Sequence, residues 1–387
     1  GFLNNRINGS LEIYWNTTKD LLMAVPVDNT TGYSYQFQNF GKTSNRGIEL
    51  SLNFDVINKG DFRFNIGAIY NYNRNKLDEL PNADQYLYSS YWGSSSLVPT
   101  NDYMFVEGKA IGLVRGFVSE GFYTVNDFRY ENGQYILKEG IPDITKALTA
   151  TYMHPFNIPN GQTAFPGAAK FRDVNNSGTV DLDDATCLGE VMPRHTGSFQ
   201  LNFNYKNFDL SSNFNWTAGG KVYNVAAMIN ASGQEFDGIG AQRTSWVADT
   251  YKVYNVNSSG DLYAVTDPNE LNALNANAKY HLPYHQSGIT SSEWLEDGSY
   301  LRLQTLTLGY TLPHTVLNKI HIEKLRIYLT ATNLFTITGY SGIDPEVNAT
   351  PTGQSGFYSN LRVFPTLNMD FGTYPRARTF TLGANIT

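Results

Sequence analysis

The chain of 387 residues has a single cysteine, Cys187. That excludes an intrachain disulfide framework and, by itself, any cysteine-built metal site, leaving a bystander thiol. Charge is scarce too: 16% of residues are Asp, Glu, Lys or Arg, against roughly 25% in soluble domains, too few for a fully solvated surface. The formal net charge is -7, with no basic patch to neutralise phosphates, so no nucleic-acid partner is expected, whereas a negatively lined lumen fits. Long apolar runs are missing as well. The longest, Leu21 to Val27 (LLMAVPV), is far short of the roughly 20 residues of a transmembrane helix, so any crossing of a membrane is by strands. No signal peptide precedes the strand-like sequence after Gly1, and the mature chain or a fragment is expected to begin there. Catalytic signatures are equally thin. The six His show no HExxH spacing, and neither GxSxG nor a phosphate-cradling glycine loop occurs, so an enzyme is not expected.

Rings and alternation are what the chain has in abundance. Aromatics make up 14%, with 26 Tyr and 23 Phe. From Thr196 to Trp216, Phe199, Leu201, Phe203 and Tyr205 alternate with Ser, Gln and Asn. Phe208, Leu210, Phe214 and Trp216 do the same on a second arm. A period of two on both arms reads as a β-hairpin with one apolar and one wet face. Similar segments occur at Arg6 to Thr17, Arg46 to Val56, Phe62 to Asn73, Tyr300 to Leu312, Lys324 to Phe335 and Arg376 to Ile386. The turn Asn58 to Asp61 joins two of them, and a short helix is expected over Val222 to Ile229. The total is about eight strands near the 9 to 11 residues that cross a bilayer at a tilt. The connections alternate in length: long loops at about 17–45, 76–195, 217–298 and 336–375, short links between. Short turns on one rim and long loops on the other is the pattern of an all-β, antiparallel transmembrane β-barrel with periplasmic turns and extracellular loops.

Six stretches carry a family resemblance: GFLNNRINGSLEIYWNTTKDLL, NRGIELSLNF, AAKFRDVNNSGTVDLDDATCLG, SSEWLEDGSYLRLQTLTLGYTLP, LRIYLTATNLFTITGYSGIDPEV and YPRARTFTLGANIT. In order and spanning nearly the whole chain, they resemble the SusC-like (SusC/RagA-type) TonB-dependent outer-membrane transporters of Bacteroidetes. The resemblance implies a bacterial outer-membrane location and the C-terminal portion of a barrel of about 22 strands, with the plug domain, the TonB-interacting segment and the N-terminal strands absent. It implies as partners a SusD-like surface lipoprotein, TonB acting through the absent part, the remaining barrel and plug of the same protein, and outer-membrane lipid. Family members end on an aromatic residue where this chain has Thr387, so one further residue is expected.

Asp173 to Asp184 (DVNNSGTVDLDD) places Asp173, Asn175, Ser177, Thr179, Asp181 and Asp184 at positions 1, 3, 5, 7, 9 and 12 of a calcium loop, with Gly178 at the sharp turn. Calcium is thus a candidate cofactor; the alternative is an Asx-turn loop whose side chains cap its own backbone. Tyr86, Tyr88, Tyr91 and Trp92 cluster in a long loop and are candidate substrate-binding rings, or packing for the loop itself. Trp294 is expected as an interfacial anchor at the rim, and Glu293, Glu296 and Asp297 as solvated rim charges. The expected function is part of an active importer of nutrient oligomers, oligosaccharide or peptide. The alternative is a non-transporting barrel or soluble β-protein that binds glycans or host partners through its long loops.

Overall fold

The computed structural model describes residues 1–33, 35–39, 41–80, 85–89, 97–99, 101–149, 154–232, 248–282, 288–318, 322–347 and 367–387. The alternating segments become eight strands: Ile7–Lys19 (β1), Lys42–Lys59 (β2), Phe62–Glu79 (β3), His195–Tyr205 (β4), Phe208–Ala218 (β5), Tyr300–Thr311 (β6), Leu325–Thr338 (β7) and Thr379–Ile386 (β8). They form one antiparallel sheet in chain order. Register turns the sequence pattern into rows. Leu11, Leu50, Tyr70, Gly197, Trp216, Leu301 and Ile337 lie opposite one another across seven strands, as do Phe54, Ile66, Leu201, Ser212, Leu306, Ala331 and Phe380 across another seven. Between them run Ser10, Ser51, Ile69, Ser198, Asn215, Arg302 and Thr336, pointing the other way.

The apolar face has no core to pack against. Ile13 is 76% exposed, Trp15 65%, Leu382 76% and Ile386 66%. In water such a contiguous patch would drive association; facing lipid it is the ordinary outer surface of a barrel. This surface is the reason a soluble sandwich does not fit the chain. Aromatic rings edge it at both ends, with Trp15, Tyr70, Tyr72 and Trp216 toward the long connections and Phe62, Tyr205, Phe208 and Tyr310 toward the short turns. From Trp216 to Phe208 the strand rises about 26 Å along its axis, close to the height of an outer-membrane apolar band.

The outer leucines of β6 change phase, with Leu301 and Leu303 followed by Leu306 and Leu308. A bulge between Leu303 and Thr305, matched on β7 between Thr332 and Phe335, absorbs the extra residue and keeps both pairs on the same face. Asn333, at φ 51°, takes the left-handed turn this requires.

Several strands exceed the expected length. β2 and β3 each have 18 residues, so their upper thirds rise past the apolar band. The expected helix starts later than predicted: Lys221–Asn224 is a strand and the helix is Val225–Ser232, because Tyr223 and Asn224 pair with Met369 and Asp370 in a small sheet.

Buried apolar side chains lie almost entirely in the long connections. Phe117, Tyr123, Phe128, Tyr135, Ile144, Leu148, Phe165, Phe171 and Val180 pack with Tyr251, Val253, Val265, Leu271 and Ile289 into one core. It joins the connection between β3 and β4 to that between β5 and β6. Tyr135 Oη donates to the Thr266 carbonyl at 2.9 Å, and the Phe117 and Leu282 amides donate to the Thr290 and Gly167 carbonyls at 2.8 Å. These connections therefore build a folded extracellular body, the job a loop of such length calls for.

Candidate functional site

Three places on the inner face and body concentrate polar side chains. The first is the wall itself, where Thr307 and Thr330 share a hydrogen bond at 2.9 Å and Asn215 Nδ2 donates to Gln304 Oε1 at 2.5 Å. Toward the short-turn rim, Arg326 on β7 crosses β6 to reach Asp209 on β5, Nε to Oδ1 at 2.9 Å. The crossing passes over Gly309, where a Cβ would lie 2.5 Å from Arg326 Nη2 and Asp209 Oδ1.

The second lies where the wall meets the last long connection. Arg302 on β6, 3% exposed, pairs through Nη2 with Asp344 Oδ1 at 2.5 Å and through Nη1 with Glu346 Oε2 at 3.1 Å. Its Nε donates to Thr336 Oγ1 on β7 at 3.0 Å, and Glu346 takes a further bond from Arg376 at 2.6 Å. Next to it, Asn224 Nδ2 donates to Glu296 Oε1 at 2.8 Å, and Ser341 donates to both Glu296 oxygens at 2.7 Å. Tyr340 Oη donates to Asp370 Oδ2 at 2.7 Å, and burial, reinforced by this carboxylate, raises the phenol well above its usual range. A cavity of about 130 Å³ between Tyr300, Pro345, Glu346, Val347 and Asn368 opens beside this network. Arg302, Asp344 and Glu346 were not picked out by sequence reasoning. Their only signal was that both segments, YLRLQ and GIDPEV, carry the family resemblance. Glu296, expected as a solvated charge, is instead tied to Asn224 and Ser341, because those residues offer donors that water would otherwise have to supply.

The third is the acidic loop of the extracellular body. Asp173 Oδ1 and Oδ2 accept from the Ser177 and Gly178 amides at 3.1 and 2.7 Å. Asp184, 1% exposed, accepts from the Val174, Asn175 and Asp181 amides at 2.8, 3.2 and 2.9 Å. Asn175 Oδ1 accepts from Ser177 N, Asp181 Oδ1 from Asp183 N, and Ser177 Oγ donates to the Thr179 carbonyl. Gly178 sits at φ 88°, as the turn demands. All six residues are thus brought into one loop, and any cation would compete with the loop's own N–H groups for carboxylate lone pairs. A cavity of about 480 Å³ lies alongside, bounded by Glu120, Ile141, Pro142, Arg172, Asp173 and Asn176.

The candidate rings are arranged differently. Tyr86 and Tyr88 pack on Leu77, Leu80 and Phe105, the Tyr88 and Phe105 centroids 4.7 Å apart edge to face. Tyr91 and Trp92 lie outside the described residues. Trp294 is not a rim anchor. It is 4% exposed, in a core with Tyr103, Val114, Tyr223 and Met369, because it ends the tight turn Ser292–Trp294, just before the strand Leu295–Asp297 that pairs with Lys221–Tyr223. Cys187 is a free, exposed thiol.

No protein-family model matches the chain. Among curated proteins it is similar to TonB-dependent receptor P3 of Formosa agariphila, 28% identical over 383 residues, covering 99% of this chain and 32% of that protein. It is likewise similar to TonB-dependent receptor SusC of Bacteroides thetaiotaomicron, 25% identical over 394 residues, covering 100% of this chain and 30% of that one. Among solved structures, that of the RagAB peptide transporter matches with a TM-score of 0.64 at 21% identity, over 99% of this chain and 34% of the other. The RagAB peptide importer in the 'closed-closed' state matches with a TM-score of 0.62. The chain spans about a third of the length of the curated relatives it matches. It is similar along its whole length to the SusC-like TonB-dependent receptors, and its eight strands are wall strands of a bacterial outer-membrane β-barrel.

Proposed function

We propose that this chain is the C-terminal third of the barrel of an active outer-membrane importer of nutrient oligomers. The observation that carries the reading is a sheet with an exposed apolar face, a polar opposite face and, among the described residues, two strands, β1 and β8, that pair on one side only. Unpaired backbone groups in lipid cost several kcal/mol each, so such edges call for further strands. The rest of the same protein supplies them, together with a plug. TonB acts on that plug, and a SusD-like lipoprotein covers the extracellular body. Peptide is the favoured cargo over oligosaccharide, since the RagAB structures are described as those of a peptide transporter and importer. Within this chain the polar rows are the conduit wall, and no catalytic step belongs to the reading.

The test is uptake by cells with and without the full-length gene, each in TonB-competent and TonB-deficient backgrounds, given a labelled peptide mixture and a labelled oligosaccharide mixture in parallel. The expected result is loss of peptide uptake on deletion of either gene. Loss of oligosaccharide uptake alone would change the cargo, and unchanged uptake of both would overturn the transport reading. Intact-mass analysis of the detergent-extracted full-length protein should also show a lipid-modified protein bound to it.

For the 173–184 loop we infer backbone capping as its role, with bound calcium as the alternative. An unfolding midpoint that calcium and a chelator leave unchanged supports the first; a midpoint that rises with calcium supports the second.

A further inference from the structure

The outward rows of the sheet end, at the rim of the long connections, in Trp15, Arg46 and Arg74, which lie opposite one another on β1, β2 and β3. The Arg46 guanidinium carbon sits 3.8 Å over the Trp15 ring, which puts it on the lipid-facing side. Arg74, directly across the ladder, shares that face. Both side chains belong to exposed residues. Neighbouring cations have acids of their own: Lys76 pairs with Asp78 at 3.3 Å, Lys42 with Glu79 at 3.0 Å and Arg194 with Glu190 at 2.7 Å. Among the described residues neither Arg46 nor Arg74 has a carboxylate within ion-pair distance, and Glu12 and Glu49 fall on the opposite face by alternation. Two like charges directly opposite in a ladder repel each other, so the pair is a cost to the sheet unless an anion joins them.

The level of the pair narrows the anion. One step below, on the same face, lie Ile13, Ile48 and Tyr72, with Ile13 76% and Ile48 39% exposed. Tyr72 meets His195 at 5.1 Å between ring centroids. An aromatic belt beneath two arginines marks the interface between acyl chains and headgroups. The guanidinium fork matches phosphate oxygens in pairs, and two forks side by side match one phosphate from two directions.

We propose that Arg46 and Arg74 form a binding site for the phosphate of a lipid headgroup in the outer leaflet, with Ile13, Ile48 and Tyr72 against its acyl chains. The site does not depend on transport and stands or falls separately from it. The test uses the full-length protein in neutral maltoside micelles, with phosphatidic acid, diacylglycerol of the same chains and inorganic phosphate as probes, reading the unfolding midpoint. Phosphatidic acid is expected to raise the midpoint by several degrees in a saturable manner, and diacylglycerol and inorganic phosphate are not. An Arg46→Gln/Arg74→Gln variant should need about tenfold more phosphatidic acid for the same rise, the loss of charge-assisted bonds, while its midpoint without lipid is no lower than the parent's. Lys206→Gln, at the opposite rim, should respond as the parent does. No response to phosphatidic acid, or an undiminished response in the double variant, overturns the site. An equal rise with inorganic phosphate overturns the lipid as its source.

Discussion

Asp184 receives three backbone N–H groups while almost wholly buried, so its carboxylate keeps the acidic loop folded. Asp184→Ala leaves those donors without an acceptor and should destabilise the extracellular body by about 2–3 kcal/mol, the cost of buried unsatisfied donors. Hydrogen exchange at Val174, Asn175 and Asp181 would show it, and protection equal to the parent's would refute it. A second residue-scale expectation concerns acid. His154 stacks on Phe165 with centroids 4.0 Å apart, and burial lowers its pKa, opposed in part by a backbone hydrogen bond at Phe156. A histidine with a depressed folded pKa contributes stability that is complete above the unfolded value of about 6.5 and is lost as pH falls below it toward the folded value. Protection factors of the core amides between Phe117 and Val180, taken relative to intrinsic exchange at each pH, should therefore fall below about pH 6.5, and His154→Phe should flatten that dependence. The calcium-loop spacing was legible in the sequence. So was backbone capping as its alternative; what was not legible is which donors each carboxylate takes, above all that Asp184 reaches back to the Val174 and Asn175 amides, since that depends on turn dihedrals and not on residue type.

Strand by strand, alternation carried most of the wall. The eight segments, their order and the parity of long and short links could all be read directly, because a face that must meet lipid forces a period of two. The ends could not. β2 and β3 run to 18 residues through Lys42, Ser44 and Lys76, where the outer row turns polar, while Leu77, one step on and facing inward, packs with Leu80 and Phe105 of the body. Tyr300 to Leu312 reads in the sequence as plain alternation; its phase slip and the bulge that answers it emerge from pairing with the partner strand. Gly47 shows a cross-strand dependence of the same kind. A Cβ there would fall on the Tyr14 ring and the Tyr72 carbonyl, and Tyr14 Oη reaches over to Asn73 Oδ1 at 3.2 Å. Gly47→Ala should cost about 1–3 kcal/mol of wall stability by overpacking, seen as a lower unfolding midpoint of the full-length protein in micelles. Where the wall meets its last connection, Arg302→Met would leave Asp344, 9% exposed, as a buried charge without its partner. The cost should be about 3–5 kcal/mol, and limited proteolysis should then cut within residues 339–347; resistance equal to the parent's would show that the ion pair does not hold that segment.

For the whole molecule, the open edges at β1 and β8 set the expectation that this chain alone gives no monodisperse particle in detergent, whereas co-expression with the remaining two thirds does. A stable, closed, monomeric barrel of the chain by itself would contradict this. The body's interior could not be anticipated from the sequence, since its residues come from two regions without regular periodicity and meet only in three dimensions. That split has a consequence for biogenesis. Phe117 to Val180 and Tyr251 to Ile289 share one core, yet β4 and β5 lie between them in the chain. For both shares to meet outside, the hairpin between them must span the bilayer. The outer core is therefore an assembly clock: it locks only after that hairpin has been delivered, and the moment it resists protease on the cell surface dates the insertion of the strands beneath it.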